Sequence, residues 1–229
     1  MAFSIEEVNS IRETLVESAT ECAVKYGVRK TSVEQLAADA GISKGSFYRF
    51  YDSKELLFFE VLEKIHAVVY EAARAEMMGS IGLPPAERMG NTILAMCRKL
   101  DEIGVMRFME EDSEYVLRKI PAKVKAEHYH SDEVHIREML EESGLEPVGG
   151  IELAAAVIRG LLLTISHKVN IGEKYPLVLE LMIRGACLEL FPDRKPGRVP
   201  EEKPSAPRKP ETSRTAVQAK TKPSIGQKR

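Results

Sequence analysis

Apolar residues along this chain step by three and four almost throughout, the spacing that gathers them on one face of an α-helix. Ile5, Val8, Ile11, Leu15, Ala19, Cys22 and Tyr26 predict a long first helix that Gly27 closes. Val33, Leu36, Ala37 and Ala40 predict a short second one, and Gly41 is suited to the left-handed residue that ends a helix sharply. Phe47 and Tyr51, four apart, are the core anchors of a third. A fourth runs from about Ser53 to Met78 with Leu57, Val61, Ile65, Val68 and Ala72 on one side, until the segment from Gly79 to Pro85 breaks it. Segments 86–103, 105–119, 122–143, 148–170 and 174–191 keep the helical period, divided by Gly104, Pro121, Gly144 to Gly150 and Gly172 to Pro176. No segment alternates with a period of two, so the pattern predicts an all-α chain of about nine helices.

The polar residues at the helix starts sharpen the N-terminal part. Thr31 with Glu34, and Ser32 with Gln35, both fit a capping box, so the second helix starts at one or the other. Ile42 is the apolar residue of the turn, and Ser43 is a good N-cap for a helix with Lys44, Gly45 and Ser46 in its first turn. Asp52 with Glu55 makes a further capping box ahead of Leu56 and Leu57. Two short helices joined by a glycine turn and backed by a capped long helix form a helix-turn-helix, whose common use is to lay the second helix in the major groove of DNA. Taken singly, Lys44, Arg49 and Lys54 read as solvated charges and Tyr48 as a core residue. In this spacing the cluster reads as a DNA contact. Glu34 and Gln35 read as caps, with base contact the lesser alternative.

The stretch from about Ile5 to Leu62 resembles the TetR family of bacterial transcription regulators. The resemblance rests on Ala40-Gly41-Ile42-Ser43-Lys44-Gly45-Ser46-Phe47-Tyr48 and on Ser53-Lys54-Glu55-Leu56. It implies that Lys44, Gly45 and Ser46 approach base edges, that Tyr48 touches the backbone or a thymine methyl, and that Lys54 meets a phosphate. It also implies a phosphate at Thr31, where the second helix's N-terminus favours anions. Phe50 stands where the family often has histidine or tyrosine, and Tyr51 where it usually has phenylalanine. A phenylalanine cannot hydrogen-bond a phosphate, and Arg49 is the replacement at hand.

Charge divides the chain. The formal net charge is −2, but residues 193–229 carry eleven Lys or Arg against four acids, a net +7 that leaves −9 on residues 1–192. That tail is proline-rich and nearly free of large apolar residues, so it reads as disordered. It either adds nonspecific phosphate affinity or only solubilises. The expected organisation is a helix-turn-helix domain over 1–54, a helical effector-binding and dimerisation domain over 55–192, and the basic tail over 193–229. Hydrophobic residues make 44% of the chain and charged ones 30%, the balance of a soluble helical protein. Cys22, Cys97 and Cys187 lie far apart with no ligand spacing, so they read as reduced core residues of a cytosolic protein, a redox role being the minor alternative. No signal-type apolar segment opens the chain. Glu152 and Arg159 interrupt the most apolar stretch, Ile151 to Ser166, which argues against a membrane span. The expected setting is the bacterial cytoplasm, at the nucleoid.

The last two helices predict a partner. Gly150 to Ser166 and Leu177 to Leu190 are apolar nearly all round and need cover on more than one face. Two copies about a twofold axis would form a four-helix bundle, with small Ala155, Gly160 and Gly185 allowing close approach and Leu163, Leu181 and Leu188 packing across it. An ordinary intrachain core is the alternative. The resemblance implies the same dimer, and a symmetric dimer implies a palindromic operator in double-stranded DNA.

The middle helices carry many methionines, flexible walls suited to an irregular apolar pocket as well as to plain core filling. The resemblance implies an unidentified apolar small-molecule effector there, and Met89, Ile93, Met96, Leu100, Phe108, Met109 and Tyr115 are the candidate lining. His128, Asp132 and His135 fall at i, i+4 and i+7, a face able to hold a divalent metal. Their charged neighbours favour a solvated face, so no metal or cofactor is assigned. Nothing in the chain resembles a nucleophile elbow, a phosphate loop or a catalytic pair, so no enzyme is expected. The leading expectation is an effector-released homodimeric repressor. The alternatives are a TetR-fold DNA-binding protein acting through a protein partner, of nucleoid-occlusion type, and a metal-responsive regulator.

Overall fold

A computed structural model describes residues 3–193, so the expectations for the basic tail fall outside the described residues, Asp193 apart. Among the described residues there is no β-strand, only an isolated bridge between Ile81 and Leu83. The first helix, α1 (Ile5–Lys25), starts at Ser4, whose hydroxyl accepts from Glu7 N while Glu7 accepts from Ser4 N, a full capping box. Its stripe is buried only from Leu15 onward; Ile5, Val8 and Tyr26 lie exposed. A 3₁₀ turn at Val28–Lys30 leads to α2 (Val33–Asp39). Ser32 is its cap, accepting from Gln35 N at 3.1 Å. Gly41, at φ 65°, lets Ile42 N bond back to Ala37 O at 2.9 Å and closes α2 in the left-handed manner. The third helix, α3 (Lys44–Phe47), is one turn capped by Ser43.

The longest helix, α4 (Lys54–Gly79), runs without a break across the expected boundary at residue 54. Its cap is Ser53, one residue past the predicted Asp52. Its buried line begins at Leu57, Val61 and Ile65 as predicted, but continues through Val69 and Ala73, leaving Val68 exposed. A strict i+4 line holds where the prediction took one i+3 step.

Two prolines start α5 (Pro85–Glu102), with Pro85 at its first position, where the missing N–H costs nothing. The expected helix 105–119 divides at Asp112 into α6 (Met106–Glu111) and α7 (Ser113–Lys119). The Asp112 carboxylate accepts Val28 N at 2.9 Å from the other end of the fold. Pro121 opens α8 (Ala122–Ser143) and Gly144 closes it at φ 68°.

The expected helix 148–170 also divides, into α9 (Gly150–Leu163), a 3₁₀ turn at Thr164–His167, and α10 (Lys168–Ile171). Thr164 and Ser166 turn their hydroxyls back onto Leu161 O and Leu163 O, which competes with the helical ladder. Gly150–Ile171 is long and apolar enough by composition to cross a membrane. The break at Thr164 is a poor fit to lipid, where freed backbone groups find no water. The last helix is α11 (Tyr175–Leu190). One core links these elements: α4 packs on α1 and α5, α5 on α11, α8 on α4 and α9.

Candidate DNA-binding unit and effector cavity

Fully buried Leu36, Ala37 and Phe47 seat α2 and α3 against Leu15, Val16 and Ala19 of α1 and Leu57 of α4. Tyr51, the other predicted anchor, is buried too, and its hydroxyl donates to Glu60 at 2.8 Å. Burial first pushes the Glu60 carboxyl up, yet the hydrogen bonds from Arg12 and Tyr51 outweigh it and hold Glu60 below the usual carboxylate range.

This packing leaves one exposed edge. Ser43, Lys44, Gly45, Tyr48 and Arg49 are open to solvent on and just after α3, and Ser46 is half-buried beside them. Lys44 Nζ lies 2.6 Å from Glu34 Oε1 on α2, an exposed ion pair that ties the two helices. Arg49 lies over the Phe3 ring at 5.3 Å, and Phe3 also meets Phe50, 6.0 Å between centroids. The aromatic that departs from the family pattern therefore covers apolar surface.

Two of the expected phosphate contacts are placed otherwise. Thr31 is 1% exposed and donates its hydroxyl to Gly27 O at 2.9 Å. Lys54 Nζ donates to Val28 O at 2.8 Å and to Thr31 O at 2.7 Å. Both side chains fasten the loop between α1 and α2: Gly27 O and Thr31 O each accept from one of them, and Val28 O takes Lys54 Nζ as well as Thr31 N.

The same loop is gripped from the other half of the molecule. Asp112, at the α6–α7 joint, holds Val28 N. Tyr115 of α7 donates to Glu55 of α4 at 3.2 Å, and the Arg29 guanidinium lies 4.9 Å from its ring. Gly27 sits at φ 82°, where a Cβ would come 2.7 Å from Asp112 Oδ2.

A cavity of about 120 Å³ lies among α4, α5, α6, α7, α8 and α9, in the range that takes one small ring. Of the predicted lining, Met96, Leu100 and Met109 face it. Met89, Ile93 and Phe108 are fully buried core instead, and Tyr115 is committed to Glu55 and Arg29. Unpredicted residues complete the wall: Leu62, His66, Tyr70 and Arg159 among them. Arg159 brings a buried Nε with no hydrogen-bond partner.

The histidine face is not solvated. His128 is 4% exposed, with Nδ1 2.5 Å from Glu63 Oε1 and Nε2 3.6 Å from Asp132 Oδ2. Asp132 Oδ1 also meets His66 Nδ1 at 3.2 Å and the Tyr70 hydroxyl at 3.1 Å. His135, expected beside them, bonds Ser131 O in its own turn and stacks on Tyr70. Burial alone would lower the His128 pKa; the bond to Glu63 and the charges of Asp132 and Glu63 raise it overall. Burial would raise Asp132; His66, His128 and Tyr70 lower it overall. Glu63 and His66 were the residues that sequence reasoning missed. Their three-residue spacing is visible, but nothing along the chain links them to His128.

The other expectations divide. Burial pushes the Cys97 and Cys187 thiols up to about 11, and thiols held protonated are inert. Ala155, expected in a dimer seam, is buried within the chain. Gly160, Leu163, Leu181, Gly185 and Leu188 are exposed, Leu181 at 73% and Leu188 at 65%.

Residues 15–61 match the family described as bacterial regulatory proteins, tetR family. The HTH-type transcriptional repressor DhaR of a Mycobacterium species is 28% identical over 42% of this chain, and the match spans 48% of DhaR's own length. The HTH-type transcriptional regulator TtgR of Pseudomonas putida is 25% identical over 69% of this chain and 70% of TtgR. Among solved structures, a TetR-family transcriptional regulator from Pectobacterium atrosepticum shares the fold with a TM-score of 0.58 at 21% identity, over 80% of this chain and 93% of that one. RolR, solved with resorcinol, does so with a TM-score of 0.56 at 18% identity, over 80% and 90%.

Proposed function

We propose, for a chain whose residues 15–61 make it a member of the tetR family of bacterial regulatory proteins, a homodimeric transcriptional repressor released from a palindromic operator by a small effector. The observation that carries the reading is the exposed edge of α3: Ser43, Lys44, Gly45, Tyr48 and Arg49 stand open on a fully packed scaffold. A flexible basic loop would bind DNA without a fixed register; a capped turn of helix holds side chains where base edges can be read. Lys44, Gly45 and Ser46 are the proposed base readers, with Tyr48 and Arg49 against the backbone. Thr31 and Lys54 act by holding the unit's shape.

The dimer reading is supported by the exposed leucines of α9 and α11, since burying each contributes about 1.5–3 kcal/mol. A twofold dimer sets two α3 helices roughly 34 Å apart, one turn of DNA. The effector reading is supported by the largely apolar cavity with Arg159 and Tyr70 at its wall. RolR's resorcinol, a ring with two hydroxyls, is the kind of molecule such a wall suits.

The test is binding of the purified protein to its own upstream DNA, beside Lys44→Ala and Tyr48→Ala variants. Saturable, competitor-resistant binding that falls at least tenfold in each variant, with unchanged melting, supports the reading. Binding of wild type and variants alike would sink it, and scattered genomic sites with no release by small aromatics would favour action through a protein partner.

A further inference from the structure

Four side chains that DNA binding leaves unused converge where the middle of α4 meets α8. Glu63 and His66, three apart, share one face of α4; His128 and Asp132, four apart, face them from α8. Donor atoms of Glu63, His66 and His128 lie within 4.8 Å of one another, and Asp132 is in contact with both imidazoles. The rings of His66 and His128 stack with centroids 5.0 Å apart.

We propose that Glu63, His66 and His128 bind one divalent transition-metal ion of the zinc, cobalt or nickel class, tying α8 to α4, with Asp132 holding both imidazoles from outside. Two imidazoles and one carboxylate suit these ions. Calcium and magnesium favour shells built of oxygen alone, and copper(I) prefers sulfur. A tetrahedral ion with bonds of about 2.1 Å sets its ligand atoms about 3.4 Å apart, so small side-chain rotations of about an ångström close the site. Charge balances as well: Glu63 together with the neighbouring Asp132 neutralises the dication, which leaves no net charge in a partly buried place. Asp132, itself held by the Tyr70 hydroxyl, is the outer carboxylate that fixes both imidazoles. Apolar Leu62, Val69 and Ile136 line the cavity beside it and limit water.

The site deepens the effector reading by giving the cavity an inorganic ligand. Occupancy is read on the protein alone, so its failure is distinguishable from failure of the repressor reading. The experiment is titration of chelator-stripped full-length protein with zinc, then cobalt, by calorimetry and by visible absorption. The expected result is one ion per chain with a cobalt spectrum free of thiolate charge-transfer bands. Affinity should fall roughly 100-fold or more in His66→Ala and in Glu63→Gln, whose side chains are partly exposed, and stay unchanged in His130→Ala. His128→Ala, at the buried member, is read only where circular dichroism matches wild type. No binding of either ion, or binding that His66→Ala and Glu63→Gln leave intact, overturns the proposal.

Discussion

Lys54 reaches two backbone carbonyls, Val28 O and Thr31 O, and so straps α4 to the loop ahead of α2 by two hydrogen bonds. A charged donor shared by two carbonyls is among the stronger hydrogen-bonding arrangements, and both acceptors lose it together. Lys54→Met is expected to cost on the order of 2–3 kcal/mol, measured by urea unfolding. Lys44→Met, at an exposed ion pair, is expected to leave the urea midpoint unchanged. Equal effects of the two substitutions would show that Lys54 does not hold the loop. In sequence the two lysines look alike, because both follow a serine cap. What separates them is a carbonyl pair 23 and 26 residues away, which periodicity does not report.

At the scale of elements, much of the fold was legible. Serine caps open α1 to α4, and Gly27 and Gly41 follow the ends of α1 and α2. The failures share a cause. The divisions are made by side chains, Asp112 bonding far along the chain and Thr164 bonding both Leu161 O of its own helix and the Tyr175 hydroxyl, and the cavity wall mixes residues from six helices. Asp112 is the clearest instance, since its partner Val28 N lies 84 residues away. Asp112→Ala should leave that buried N–H unpaired at about 1–3 kcal/mol. Gly27→Ala should also destabilise, through its positive φ and the clash with Asp112. In the double variant the clash is gone, so its loss should be smaller than the sum of the two single losses. Additive losses in thermal unfolding would show that Gly27 and Asp112 do not meet.

For the whole molecule, the proposed dimer rests on the exposed leucines of α9 and α11. Leu181→Glu with Leu188→Glu puts two charges on the face proposed to meet its twofold mate. Sedimentation should show a monomer, and operator affinity should fall by tenfold or more, since both half-sites no longer bind together. A dimer that survives both substitutions places the interface elsewhere. The ion pair between Lys44 and Glu34 has a further consequence for how such a dimer searches a chromosome. Any stray phosphate that takes Lys44 must first displace an acid already seated on it, so random sequence gains little from that lysine. A correct site offers a base edge together with the rest of the α3 contacts and can outbid Glu34. On the proposed DNA-binding reading, Glu34 is thus a built-in competitor for Lys44, one that any phosphate or base edge has to displace.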